Sequence, residues 1–220
     1  MGWSDLPRRK SWRGIRAREH GMGVRNYLIE GVSGAGKTSV CQELRRRGYH
    51  TINGDTELAY QGDPETGEPV DGLAHEHHIW NVDEVRALAA DQSHAASFFC
   101  GGSRNFSSFI DLFDRVFVLE IDRDTLTRRL AERPQTEWGG RPAERRLIRR
   151  LHATKEDVPK GGVLIDATAP IERVVDEILA KCDQGADMGR TGRVPSLPSL
   201  NRGSPRRGRR AHRRESSRPA

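Results

Sequence analysis

The chain has 220 residues, enough for one domain with a well-buried core, but its hydrophobic fraction of 35% and mean hydropathy of −0.74 are low for that length, which points to flanks that do not fold. Of a net charge of +6, the first 23 residues carry +4 and residues 190–220 carry +9, so residues 24–189 carry −7. The pI of 9.6 therefore belongs to the ends, which excludes a uniformly basic nucleic-acid binder, and the lack of any apolar run of about 18 residues excludes a membrane-spanning helix.

Residues 1–23 show no sustained period and no apolar run behind their basic residues, so they read as a basic, disordered extension rather than a secretory signal. From Tyr27 the pattern alternates. NYLIE predicts a short buried strand. KTSVCQELRRRG predicts a helix stopped by Gly48, with Arg45, Arg46 and Arg47 in its last turn, where cations suit the dipole. YHTIN predicts a second strand, QGDPETGEPVDG a polar loop, and the stretch around 83–91 a helix. AASFFC predicts a third strand, NFSSFIDLF a helix, and RVFVLEI a fourth strand. RDTLTRRLAERP predicts a helix ended by Pro134, AERRLIRRLHATKED another, GVLIDAT a fifth strand, and PIERVVDEILAKC a last helix with proline in its first turn. Five strands separated by helices imply right-handed crossovers and a parallel, helix-covered α/β sheet. Beyond Asp183 the chain turns to Gly, Ser, Pro and Arg and cannot offset its ordering entropy by burial, so 184–220 reads as a disordered tail. Cys41, Cys100 and Cys182 are odd in number and widely spaced, as expected of reduced thiols in a cytoplasmic protein.

Residues 31–38, GVSGAGKT, satisfy G-x-x-x-x-G-K-[ST] between a predicted strand and a predicted helix. Gly31, Gly34 and Gly36 let the backbone curl so that successive amides, with Ser33 and Ala35 among them, point inward as an anion nest. The helix start adds its positive end, worth up to about 2 kcal/mol in a partly buried site. Lys37 is placed to reach the β- and γ-phosphates of ATP, the Thr38 hydroxyl to hold Mg²⁺, and Ser39 to follow it at the nucleotide.

With that loop in view, residues 24–182 resemble the small P-loop kinases of metabolites: shikimate and gluconate kinases, adenylate kinase and other nucleoside-monophosphate kinases. The resemblance rests on the loop, on NGDTELA (53–59) where shikimate kinases have an Asp-x-Asp pair, on CGGSRN (100–105), and on LTRRLAERPQTEWGGRP (126–142), which resembles an arginine-bearing lid. LIDATAPIERVVDEIL resembles the family's last strand, adenine-side loop and final helix. The resemblance implies a three-layer fold over 24–183, a five-stranded parallel sheet of order 2-3-1-4-5, and a small lid at about 133–143. It also implies an ATP-dependent, Mg²⁺-dependent kinase acting on a small-molecule hydroxyl or a nucleoside or nucleotide acceptor.

Residue by residue, Asp55 matches the substrate-side carboxylate, as base and as support for the metal; the alternative is a cap on a short helix at 56–60. Gly101 and Gly102 match a glycine run that lets the backbone approach substrate. Arg104 matches an arginine that clamps a phosphate or carboxylate, against a plain solvated arginine. Arg129 and Arg133, four apart, match lid arginines at the nucleotide and the transferring group; Arg141 follows the lid tip on the substrate side. Two positions depart: Asn53 and Cys100 stand where the family has carboxylates. They favour a nucleotide-binding regulatory protein without turnover, whereas Asp55 and the lid arginines favour the enzyme. His75 and His78, three apart, are placed to share a helix face but lack a third metal ligand at a fitting spacing. Trp80 reads as core or pocket wall. The arginine tail offers non-specific contact to nucleic acid through counterion release, or is simply solvated; an RNA-associated protein acting through its basic ends is the remaining alternative.

Overall fold

In the computed structural model, which describes residues 25–188, strand β1 (Arg25–Glu30) lies at the centre of the sheet. The chain continues through α1 (Lys37–Arg46), β2 (His50–Asn53), the one-turn α2 (Gly54–Glu57), β3 (Ala59–Gln61), β4 (His78–Trp80), α3 (Val82–Ala90) and β5 (Ala96–Cys100). It then runs through β6 (Arg115–Glu120), α4 (Arg123–Ala131), α5 (Pro142–Thr154), β7 (Val163–Asp166) and α6 (Ile171–Met188). The expected basic extension, 1–23, lies outside the described residues, as does the expected tail from residue 189 on; residues 184–188 belong to α6.

Five strands form one parallel sheet in the order β2-β5-β1-β6-β7. Counting only those five, the order is 2-3-1-4-5, as the family resemblance implied. Alternation along the central strands explains why they read as continuous apolar runs: both faces are buried. Tyr27 and Ile29 of β1 and Phe98 and Cys100 of β5 face a core closed by α1, α4, α5 and α6 through Val40, Leu44, Leu126, Leu130, Ile148, Val175 and Ile178. Leu28 and Phe99 face the other way, onto Ile52, Trp80, Val85, Phe109 and Phe113.

Two expectations fail in instructive ways. NFSSFIDLF is not a helix but two short 3-10 turns, Phe106–Ser108 and Ile110–Leu112. Its aromatic stripe is real, since Phe109 and Phe113 cover the second core. The segment is instead pinned at its start: Ser103 Oγ and Asn105 Oδ1 accept from the Trp80 amide at 3.2 and 3.1 Å, and Asn105 Nδ2 donates to the Trp80 carbonyl at 3.0 Å. The expected polar loop, QGDPETGEPVDG, follows from the end of β3 and leads towards β4, and these two strands form an unexpected antiparallel hairpin in the register Ala59↔Trp80, Tyr60↔Ile79, Gln61↔His78. His75 and His78 therefore share no helix face; the first lies in a 3-10 turn, the second in β4.

Trp80 is core. It is fully buried and stacks on Phe109 at 5.5 Å. Its ring packs so closely on Gly54 and Gly101 that a Cβ at either position meets its Cζ2 at 2.0 and 2.6 Å. The second core thereby fixes α2 and the turn after β5 against each other, and both turns carry site residues.

Candidate active site

The C-terminal ends of the parallel strands converge on one edge of the sheet, where ligands bind in folds of this kind. β1 ends at Glu30 and the glycine loop follows, with Gly34 and Gly36 at φ 95° and 108°, in the region that favours glycine. Gly36 is the N-cap of α1 and supplies no side-chain cap, which leaves the first-turn amides of a ten-residue helix free for an anion. Lys37 Nζ folds back on its own loop, donating to the Gly31 carbonyl at 2.5 Å and the Val32 carbonyl at 3.3 Å. Arg129 Nη1 donates to the carbonyls of Gly34 and Ala35 at 3.1 and 3.0 Å, and its Nη2 to Ala167 at 3.0 Å. Arg133 lies beyond the end of α4, so the shared helix face expected for the two arginines is incomplete; Arg133 Nη1 nevertheless reaches Ser33 Oγ at 3.1 Å and the Trp138 carbonyl at 2.7 Å.

A cavity of about 690 Å³ runs over this loop. Ser33, Gly34, Ala35, Gly36, Lys37, Thr38 and Ser39 line one end, and Ala167, Ala169, Ile171 and Val174 form an apolar far end. Uncapped amides, one ammonium and an exposed hydroxyl, with apolar residues lining the same cavity, fit a nucleotide with its phosphates on the loop.

A second cavity, of about 430 Å³, opens on the hairpin side. Lys37, Asp55, Ser33, Glu137 and Trp138 line both cavities, so the two meet at the lysine and the carboxylate. Asp55 sits inside the first turn of α2 and is not its cap; Asn53 holds the cap position. Its Oδ1 accepts from the Gly102 amide at 2.9 Å and lies 3.3 Å from His78 Nε2. Burial acts to raise the Asp55 carboxyl, but the His78 hydrogen bond, the Lys37 charge and the Gly102 amide outweigh it and hold the group below the ordinary carboxylate range. Gly102 lines the second cavity, whereas Gly101 lies behind it: a Cβ there meets Trp80, and also Asp55 Oδ1 at 2.7 Å. That glycine is required by packing around Asp55.

Arg104 is not a solvated surface arginine. Its side chain is 14% exposed and its Nη1 lies 3.3 Å from Asp157 Oδ2, which is also 3.6 Å from His75 Nε2. The His75 ring stacks on Trp138 at 5.6 Å, with 7° between the planes. Arg141 lines the second cavity from its open side, 71% exposed and 4.0 Å from Glu144. Cys100 is buried and faces the α1 side of the sheet, and all three cysteines are free. Among the described residues, no group of three or more His, Cys, Asp or Glu is placed to hold a metal ion.

Several site residues escaped the sequence reading. Glu30 is 1% exposed, accepting from the Gly31 amide at 3.2 Å and the Ser103 amide at 3.3 Å; burial pushes its carboxyl up to about 7 against the opposing charges of Lys37 and Arg104. A carboxylate ending an otherwise apolar strand, one residue before the glycine loop, was a visible signal. His78 as a partner of Asp55, and Asp157 as a partner of Arg104, left no local signal.

Sheet order and glycine loop define a P-loop domain. A family model described as AAA domain matches residues 28–152, more than half of the chain, and the chain belongs to that family. Among curated proteins, the HPr kinase/phosphorylase of Streptococcus salivarius is 34% identical over 102 residues, covering 44% of this chain and 31% of that protein, so the chain spans about a third of the curated relative it matches. Two solved structures are similar at TM-score 0.48. A sugar kinase from Janibacter sp. HTCC2649 is 18% identical, with 73% of this chain and 95% of that one covered. A gluconokinase from Sinorhizobium meliloti 1021 is 20% identical, with 77% and 98% covered. Among the described residues, no helix is long and apolar enough to cross a membrane.

Proposed function

We propose that residues 24–183, with a lid at about 133–143, form an ATP-dependent kinase that transfers the γ-phosphoryl group to a small-molecule acceptor. The observation that carries this reading is the meeting of two cavities at Lys37 and Asp55. A nucleotide cradle alone serves a switch; a second, separately walled cavity opening on the same lysine is what a transfer reaction needs.

Bound MgATP supplies the phosphoryl group and much of the charge neutralisation. The chain's own part is positioning and electrostatics, which dominate phosphoryl transfer. The amides of 31–38 would cradle the phosphates, Lys37 would turn from its loop carbonyls to the β- and γ-phosphates, and the Thr38 hydroxyl and Asp55 would hold the metal. Arg129 and Arg133 tie the loop to the lid side, and Arg133 is the better placed to meet charge on the transferring group because its contacts are a hydroxyl and one carbonyl. Asp55, kept ionised, accepts the hydrogen bond of the acceptor hydroxyl and aims its oxygen along the transfer line. A late proton transfer suffices because the transition state is loose. Trp138 and the lid segment shield the junction from water, the competing acceptor.

The test is acceptor-stimulated ADP release across polyols, nucleosides and monophosphates. Saturable release above the no-acceptor rate supports transfer; stoichiometric ATP binding with no stimulation by any acceptor rejects it. Burial of Cys100 on the α1 side, with Asn53 on the neighbouring strand, favours the second reading, a nucleotide-binding regulatory protein without turnover, and the same assay separates the two.

A further inference from the structure

Resting on the kinase reading above, we infer that the acceptor is an uncharged, hydroxyl-rich molecule, a neutral sugar or a nucleoside, held by the Arg104–Asp157–His75 cluster. The argument starts from charge. Lys37, Arg104 and Arg141 line the acceptor cavity, beside the imidazoles of His75 and His78, which already face Asp157 and Asp55. Lys37 belongs to the phosphate loop. Arg141 is largely in solvent and faces Glu144. Arg104 is the deeply set guanidinium of the acceptor side, and it is already paired. Asp157 Oδ2 lies 3.3 Å from its Nη1. Against these stand Asp55, Glu137, Glu144 and Asp157 on the same wall. An acidic acceptor finds no unpaired cation there, and its charge meets carboxylates in a partly desolvated space, where repulsion is strong.

The cluster is also short of hydrogen bonds. Asp157 Oδ1 and Arg104 Nε are buried with no partner, and such atoms are uncommon in folded proteins. A hydroxyl lodged at the pair supplies a donor to the one and an acceptor to the other, which neither a carboxylate nor an ammonium does alone. Around it stand Gln61 and His78 from the hairpin, further hydrogen-bonding groups, and the stacked His75 and Trp138 rings offer a flat wall to a sugar ring or a base. Asp157, 7% exposed, is thus a binding and specificity residue of the acceptor cavity.

The experiment is calorimetry on the full chain loaded with Mg²⁺ and a non-hydrolysable ATP analogue, titrated with matched pairs: glucose against gluconate, ribitol against ribonate, adenosine and uridine against their 5′-monophosphates. The expected result is that a neutral member binds at least about tenfold more tightly than its anionic partner; the sugar and nucleoside arms then tell the two sources apart. Asp157→Asn is expected to weaken that neutral ligand by about 10- to 100-fold, the range for a hydrogen bond to a charged group, with the affinity for the ATP analogue unchanged. Tighter binding of an anionic member, or no binding by either class, overturns the inference on the wild-type protein whatever the variant does. Equal loss of nucleotide and acceptor affinity in Asp157→Asn assigns the residue a structural role and overturns it too. A neutral preference without ADP formation instead defeats the kinase reading and leaves the cavity's specificity standing.

Discussion

Replacing Glu30 by glutamine tests the electrostatics of the site without touching a proposed ligand contact. The carboxylate is 1% exposed, and burial raises it from the ordinary 4.5 to about 7, opposed by Lys37, Arg104 and the amides of Gly31 and Ser103. At about 1.4 kcal/mol per tenfold, that displacement corresponds to roughly 3 kcal/mol. Below pH 4.5 the group is protonated in folded and unfolded chains alike. Between pH 4.5 and about 7 the unfolded chain releases the proton while the folded one keeps it, so stability falls as pH rises; above 7 the loss is complete. Glu30→Gln removes this titration. Urea unfolding of wild type and variant at pH 5 and pH 8 is therefore expected to show the variant gaining about 2 to 3 kcal/mol on the wild type between the two values, because all other groups cancel in the difference. A difference that stays constant over this range refutes the reasoning: it means that the neighbouring cations already hold Glu30 ionised at pH 5, and the desolvation argument for the centre of the site fails with it.

Lys37→Ala is expected to abolish transfer and weaken binding of the ATP analogue while leaving the circular dichroism melt near that of the wild type, since the lysine bonds only loop carbonyls. Asp55→Asn is expected to spare nucleotide binding and cut acceptor-dependent turnover by roughly 10² or more; unchanged turnover removes Asp55 from the mechanism. Gly54→Ala drives a methyl into Trp80, 2.0 Å away, and is expected to cost about 1 to 3 kcal/mol in chemical denaturation, with activity lost in parallel because Asp55 is the next residue. A fully stable Gly54→Ala means that the Trp80 wedge does not position the site.

The alternation of strands and helices, the buried central strands and the phosphate loop were legible in the sequence because each is written in neighbouring residues. Apolar runs of four to six residues, glycines at fixed offsets and a lysine before a threonine need no distant partner to be read. The arginines were legible as residue types; their positions were not. Arg104 looked like a free clamp, and only the chain's return after α5 brings Asp157, 53 residues later in sequence, against it. His78 looked like part of a histidine run, and only the β3–β4 register sets it beside Asp55. The expected helix over 105–113 had the right stripe, yet contacts to the Trp80 backbone hold that segment in short turns. Local pattern determined the sheet, the loop and the presence of a cradle for phosphate. Which charges lie against one another was decided by tertiary structure, because an ion pair depends on distance in space and leaves no period along the chain.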